Sequence, residues 1–180
     1  MRLFIAANFS EETRKRLLAF RDELRSLSER GRFTSPENLH LTLVFLGECD
    51  AKQADAAKRS MNALTFDPFT ITVSGVGYFD KGRPNLVFCE LQNDDGRRKL
   101  CQLQSELSEN LSAKGFKLES RKFWPHITMG REVVWKDIGD HSSSIGAGFP
   151  VIEERVACFE LMKSERINGK LTYTSIHRTS

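Results

Sequence analysis

The sequence of 180 residues lacks any long run of apolar side chains. The apolar stretch at residues 3–7 stops after five residues, at Asn8. A membrane-spanning helix needs about 20 apolar residues, and the core of a secretory signal needs about 7 to 15. We therefore expect a cytoplasmic protein without a membrane segment.

The sequence also lacks paired cysteines and a strong excess of one charge. Its four cysteines form no Cys-x-x-Cys pair, and no cluster of histidines and carboxylates has metal-ligand spacing. Lys and Arg number 27 against 24 Asp and Glu, and this net charge of +3 allows a phosphate-bearing ligand but is low for a protein that wraps duplex DNA. With 39% hydrophobic residues the chain is not disordered. We expect free thiols, no metal and no cofactor.

An internal repeat with an offset of 83 residues organises the chain. Strand-like triplets at residues 3–5 and 86–88 keep this interval, and so do two helical apolar stripes. The stripes consist of Leu17, Phe20 and Leu24 in the first copy and Leu100, Leu103 and Leu107 in the second. We assign repeat 1 to about residues 2–47 and repeat 2 to about 85–131, as lobes of a single domain that spans residues 1–180. Each repeat has the order strand, helix, loop, strand.

Local signals place the remaining elements. Capping residues predict helices from Ser10 to about residue 29, from Asp50 to about 64, and from Asn93 or Asp94 to about 113. Strands are predicted at residues 69–73, 85–91, 151–163 and 170–176, a turn at 81–84 and a surface loop at 141–148. Asn168-Gly169 predicts a hairpin turn before the last strand.

Three of the four histidines, His40, His126 and His177, have threonine two positions further on. In a strand, residues i and i+2 share a face, so His40 and Thr42 lie together, as do His126 and Thr128. The apolar residues between them point into the core. His177 is followed by a charged residue near the chain end and is predicted to be an ordinary strand-end histidine.

Two such faces that meet across one groove would form an acid and base pair. Of two imidazoles with a pKa of about 6.5, one can be neutral and the other charged at neutral pH. Threonine hydroxyls beside them can donate hydrogen bonds to an anion. This combination suits in-line displacement at a phosphodiester, where water loses a proton and the leaving oxygen gains one.

The segments His-Leu-Thr-Leu-Val-Phe-Leu-Gly at 40–47 and Pro-His-Ile-Thr-Met-Gly-Arg at 125–131 resemble the paired motifs of the 2H phosphoesterase superfamily. Within it, the chain is similar to the bacterial and archaeal RNA 2′,3′-cyclic phosphodiesterases, also called 2′-5′ RNA ligases. The resemblance covers essentially the whole chain, from the opening strand to the closing strand that contains Tyr173. It implies an α+β bilobal fold with two pseudo-symmetric lobes, each with an antiparallel sheet and flanking helices, around a central groove.

The resemblance also implies an activity, the metal-independent hydrolysis of a terminal RNA 2′,3′-cyclic phosphate to a 2′-phosphomonoester. His40 is the implied proton donor and His126 the acceptor, while Thr42 and Thr128 hold the phosphate. The expected partner is RNA with such an end or a small cyclic nucleotide, and no obligate protein partner is expected. Reversible 2′-5′ ligation, cleavage of 2′-5′-linked oligonucleotides or small cyclic nucleotide phosphates, and a non-catalytic RNA-end-binding module are open alternatives.

Further candidates lie close to the two motifs. Arg131, five positions after the second histidine, is a phosphate ligand or a solvated surface residue. Phe45, five positions after the first, stacks a base at the groove mouth or belongs to the core. Met129-Gly130 departs from the two bulkier apolar residues usual in similar enzymes. Arg121-Lys122 is a candidate contact to the RNA backbone, and residues 97–99 are predicted to be a solvated helix face.

Overall fold

Two antiparallel sheets, with helices packed on them, form the fold. The computed structural model describes residues 1–79, 85–136 and 149–179. The strands are β1 (Arg2–Ala7), β2 (Ser28–Phe33), β3 (Leu41–Glu48), β4 (Phe69–Phe79), β5 (Asn85–Leu91), β6 (His126–Trp135), β7 (Ile152–Val156), β8 (Glu160–Ile167) and β9 (Lys170–Arg178). The helices are α1 (Glu11–Ser26), α2 (Ala51–Asn62) and α3 (Asp95–Ser112), with a 3₁₀ turn at Pro36–Asn38. The predicted α+β class is confirmed.

The strands form a four-stranded sheet in the order β3-β1-β8-β9 and a five-stranded sheet in the order β2-β6-β5-β4-β7. The motif strands β3 and β6 each pair with the strand that opens their repeat, β1 and β5. Where β4 meets β7, Ile71 pairs with Glu154, which lies 83 positions further along the chain. Because β4 joins the second sheet and β8 joins the first, each half of the chain contributes to both sheets.

Each sheet buries one face under the helices and opens the other toward a groove. On the motif strands, Leu41 and Leu43 of β3 and Ile127 and Met129 of β6 are buried in the main core. The stripe leucines of α1 and α3 are buried in the same core. Burying each such side chain contributes about 1.5 to 3 kcal/mol. The alternation of the two motifs is therefore fixed by hydrophobic burial.

The predicted helix starts are confirmed, and one predicted helix end is wrong. Ser10 and Asp94 cap α1 and α3 through their side chains, and Asp50 forms a capping box with Gln53 at α2. Helix α1 ends at Ser26 rather than near residue 29, because the chain turns into β2, which pairs with β6. The sequence of β2 is polar and lacks apolar alternation, so only its pairing with β6 identifies it.

Two predicted strands also differ from the structure. The single strand predicted at residues 151–163 is two strands, β7 and β8, in different sheets, and the chain crosses between them at the buried Phe159. The strand predicted at 69–73 continues through two glycines to Phe79. Asn168 and Gly169 have φ of 50° and 79°, as the predicted hairpin turn requires. The predicted turn at 81–84 and loop at 141–148 lie outside the described residues.

All four cysteines are free, and burial raises the pKa of the Cys89 thiol. Within the three described ranges, no helix is long and apolar enough to cross a membrane.

The packing of α3 against β4 yields a stability prediction. A Cβ atom at Gly96, in the first turn of α3, would overlap the carbonyl oxygen of Thr70. Glycine to alanine in a helix ordinarily stabilises by up to about 1 kcal/mol. Here we expect Gly96→Ala to lower the free energy of unfolding in urea by about 1 to 3 kcal/mol, because the helix must move off the sheet. Gln102→Ala, on the exposed side of α3, is the control, and a gain of stability in Gly96→Ala would contradict the close packing.

Candidate active site

Both motifs line one groove with a volume of about 1020 Å³. His40 and Thr42 reach it from the start of β3, and His126 and Thr128 reach it from the start of β6. The four residues predicted from the repeat are therefore brought together in one cavity. His177 is elsewhere, at the end of β9, where its Nε2 lies 2.7 Å from Oδ1 of Asn62.

His40 is held from several sides. Its Nδ1 lies 2.7 Å from the carbonyl oxygen of Asn38, so Nδ1 carries a hydrogen and donates it. Its Nε2 lies 2.9 Å from the hydroxyl oxygen of Thr42. In the neutral ring, Nε2 accepts a hydrogen bond from this hydroxyl. The ring packs 4.9 Å from Phe4 and meets Tyr173 edge-on at 5.3 Å, centroid to centroid. The tautomer and the orientation of His40 are both fixed.

A backbone carbonyl also holds His126. Its Nδ1 lies 2.8 Å from the carbonyl oxygen of Trp124, again two positions before the histidine. Its ring centroid is 5.5 Å from that of Phe88 on β5. In both histidines Nδ1 is thus engaged with the backbone, and Nε2 is the nitrogen left to exchange a proton.

The carbonyl that holds His40 is braced by an arginine of α1. Nη1 of Arg14 donates to the carbonyl oxygens of Pro36 at 2.6 Å and Leu39 at 3.3 Å, on either side of Asn38. The Asn38 side chain donates to the carbonyl oxygen of Leu171 on β9 at 3.0 Å. The short turn before β3 is therefore anchored to both a helix and a strand.

The equivalent arginine of α3 braces the second histidine. Arg97, 83 positions after Arg14, lies with its guanidinium 4.5 Å from the centre of the Trp124 ring and donates to the carbonyl oxygen of Leu91 at 3.2 Å. The prediction that residues 97–99 form a solvated face is wrong for Arg97. The interval of 83 residues between the two arginines was the sequence signal that could have identified both.

The surroundings of His40 favour its neutral form. Burial lowers the pKa of His40 below its ordinary value, and the positive fields of Arg131, His126 and Arg14 lower this pKa further. The hydrogen bond to the carbonyl of Asn38 opposes the shift. An anion placed in the groove would act in the opposite direction, because it stabilises the imidazolium. The positive charges around His40 therefore favour an anionic ligand in the groove.

A β-bulge turns Phe45 toward the groove. Consecutive residues of β1 pair with Val44 and Thr42, so the register skips Leu43. The skipped residue reverses the alternation, and Phe45 lines the groove with 47% of its surface exposed. The guanidinium of Arg2 lies 5.0 Å from the centre of its ring. Phe45 is not a core residue.

The matching bulge in β6 turns Arg131 toward the groove. Consecutive residues of β5 pair with Gly130 and Thr128, so the register skips Met129, which is 86 positions after the residue skipped in β3. Arg131 consequently lines the groove. A Cβ at Gly130 would press on Val133 and Phe33, which accounts for glycine at this position. Equivalent positions in the two lobes thus present an aromatic ring and a guanidinium to one cavity.

Several groove residues were missed from the sequence. Arg32, Thr34 and Ser35 line it because β2 is present, and Tyr173 reaches it from β9. Strand β2 has no local signal in the sequence. Strand β9 was predicted from its hairpin turn, but its place at the edge of the groove was not. In the parts of the chain that the structure describes, no group of three or more His, Cys, Asp or Glu side chains is placed to hold a metal ion.

Comparisons with known proteins agree with this geometry. The model of the LigT-like phosphoesterase family matches residues 8–89 and again residues 91–172. The RNA 2′,3′-cyclic phosphodiesterase of Thermotoga maritima is 35% identical over 91% of this chain and 87% of its own length. The enzyme of that name from Escherichia coli is 29% identical over 98% of this chain and 94% of its own.

Solved structures agree as well. E. coli LigT in its apo form is 27% identical and superposes with a TM-score of 0.78, covering 98% of this chain and 95% of its own. The structure of E. coli LigT complexed with 3′-AMP gives a TM-score of 0.79 at 27% identity and the same coverage. The resemblance seen in the two motifs is confirmed over nearly the whole chain. With its two histidine motifs in one groove and two matches to the family, the chain belongs to the LigT-like phosphoesterases of the 2H superfamily.

Proposed function

We propose that this protein hydrolyses the terminal 2′,3′-cyclic phosphate of RNA to a 2′-phosphomonoester, with two histidines as general acid and base and without a metal. The observation that carries the proposal is the matched pair, His40 and His126. Both lie at the start of equivalent strands, both are held through Nδ1 by the carbonyl two residues earlier, and both line one groove. The names of the relatives from T. maritima and E. coli support the choice of substrate.

The reaction moves one proton at each histidine. Nε2 of His126 accepts a proton from water as the water oxygen bonds to phosphorus. The bond between phosphorus and the 3′-oxygen breaks, and Nε2 of His40 donates a proton to that oxygen. The phosphate stays on the 2′-oxygen. Thr42 and Thr128 donate hydrogen bonds to the non-bridging oxygens, on which charge builds as water attacks.

The substrate itself prepares His40 to donate. The empty site favours neutral His40, whose Nε2 accepts from the Thr42 hydroxyl at 2.9 Å. An anionic phosphate raises the pKa of His40 by stabilising its charged form. Once protonated, Nε2 no longer accepts this hydrogen, and the hydroxyl of Thr42 turns its hydrogen to the phosphate. Binding of the anion, protonation of His40 and donation by Thr42 are therefore coupled.

Two residues at the mouth of the groove complete the proposed site. Arg131 offers a planar guanidinium to a phosphate oxygen. Phe45, exposed and backed by Arg2, offers a ring face to a nucleobase. The same chemistry permits 2′-5′ ligation, since a 5′-hydroxyl that replaces water would lose its proton to His126 and form a 2′,5′-diester.

The histidines are tested by substitution. We expect His40→Ala and His126→Ala each to lower kcat/KM for a nucleoside 2′,3′-cyclic phosphate by about 10² to 10⁴-fold. The double variant should be little worse than either, because acid and base act as a unit. His177→Ala is the matched control: it has the same His-x-Thr pattern but its Nε2 contacts Asn62 outside the groove.

Assays of these variants should contain EDTA. Wild-type turnover in EDTA, lost in both groove variants and kept in the control, supports the proposal. Full activity in either groove variant contradicts the acid and base pair. Absence of turnover by the wild type, with or without EDTA, favours a module that only binds RNA ends. Loss of wild-type activity in EDTA that zinc or magnesium restores contradicts the metal-free reaction.

The pH dependence follows from the lowered pKa of His40. Activity fails at acid pH once both imidazoles are charged and at alkaline pH once both are neutral. The acid limb of kcat/KM should therefore lie below 6.5, the ordinary value for histidine. The acid limb of kcat should be displaced to higher pH, because the bound phosphate raises the pKa of His40.

Arg14 allows the origin of the acid limb to be checked. Arg14→Gln removes one positive field that lowers the pKa of His40, so the acid limb of kcat/KM should move to higher pH. Arg14→Lys keeps the charge and should leave the limb in place. Coincident profiles of kcat and kcat/KM, or an acid limb that Arg14→Gln does not move, would contradict this electrostatic assignment.

A further inference from the structure

A second, smaller pocket lies beside the groove. This second pocket has a volume of about 390 Å³ and lies between residues 45–47, at the end of β3, and residues 117–119, after α3. Phe45 lines both cavities, so the two adjoin at this residue. An extended ligand that leaves the groove past Phe45 would therefore meet the second pocket.

The far wall of the second pocket belongs to a basic segment, which we call the basic strip and define as residues 114–124. Its four cations, Lys114, Lys117, Arg121 and Lys122, are all exposed. Its one carboxylate, Glu119, forms an ion pair with Arg121. The strip therefore carries a net positive charge of three at neutral pH, equal to the formal charge of the whole chain.

Exposed aromatic rings lie at both edges of this surface. Phe45 and Trp124 each leave 47% of their surface exposed, and each has an arginine guanidinium against its ring, at 5.0 Å for Arg2 and 4.5 Å for Arg97. Single-stranded nucleic acids bind to surfaces of this composition, where cations follow the phosphates and aromatic rings stack bases. Trp124 also connects the strip to the catalytic groove, since its carbonyl holds His126.

We propose that the second pocket and the basic strip bind the single-stranded RNA that lies 5′ to the reacting end. The inference rests on the proposed function, because it extends the substrate of the same site from one nucleotide to several. The terminal cyclic phosphate occupies the groove, the preceding nucleotide passes over Phe45, and Lys114, Lys117 and Lys122 neutralise the phosphates upstream. A mononucleotide uses the groove but not the strip.

The test removes the strip's charge without touching the groove. The strip variant is Lys114→Ala/Lys117→Ala/Lys122→Ala, and the control variant is Lys15→Ala/Lys52→Ala/Arg59→Ala. The control removes the same charge from exposed positions on α1 and α2, and none of its three residues lines either cavity. The probe is a fluorescent six-nucleotide RNA that ends in a 2′-phosphate, compared with a nucleoside 2′-monophosphate.

We expect the strip variant to bind the six-nucleotide RNA at least tenfold more weakly than wild type at low salt, while the control variant binds normally. Three lost phosphate contacts should reduce the slope of log Kd against log salt by about 2. Binding of the nucleoside 2′-monophosphate should be unchanged in both variants. Unchanged RNA binding in the strip variant, or equal losses in strip and control variants, would overturn the inference.

Turnover separates this inference from the proposed function. Suppose that the wild type hydrolyses a nucleoside 2′,3′-cyclic phosphate and that the strip variant binds RNA normally. The proposed function then stands, and the RNA path along the strip is contradicted. RNA binding that depends on the strip, without any hydrolysis of cyclic phosphate, supports the RNA path and contradicts the proposed function.

Discussion

The hydrogen bond from each histidine Nδ1 to the carbonyl two residues earlier is the constraint on which the site depends. It selects one tautomer in His40 and in His126, so the same nitrogen, Nε2, is left to exchange a proton on both sides of the groove. The carbonyls must themselves be immobile for this to work. Arg14 and Arg97, at equivalent positions of α1 and α3, hold the segments that carry them. The helices thus orient the imidazoles as well as covering the core.

The histidines and threonines could be predicted because burial enforces simple alternation at the start of β3 and β6. Leu41 and Ile127 are fully buried, so their neighbours must face the groove. Beyond the threonines this logic failed, since each motif strand has a bulge immediately afterwards. Strict alternation would turn Phe45 and Arg131 away from the groove, whereas the skipped residue turns both toward it. A bulge depends on the register with the neighbouring strand, which local sequence does not contain.

The elements of the fold also fall into those that the sequence predicts and those that it does not. Helix starts were predictable because capping side chains act within one turn, as at Ser10, Asp50 and Asp94. Strand β2 and the crossing from β7 to β8 were not predictable, because both exist through pairing with distant strands. The distribution of charge likewise depends on the fold. A net charge of +3 says little, but the fold gathers cations around the groove. Burial lowers the pKa of His40, and these cations lower it further and favour an anionic ligand.

The division of proton transfer between the two histidines is tested most directly with a substrate whose 3′-bridging oxygen is replaced by sulfur. A thiolate leaves without a proton, since its conjugate acid has a pKa of only about 8.5, so the general acid is no longer needed. We predict that His40→Ala regains most of its lost kcat/KM on the sulfur substrate, whereas His126→Ala remains as impaired as on the oxygen substrate. Rescue of His126→Ala in place of His40→Ala would exchange the two roles, and rescue of neither variant would contradict acid catalysis at the 3′-oxygen.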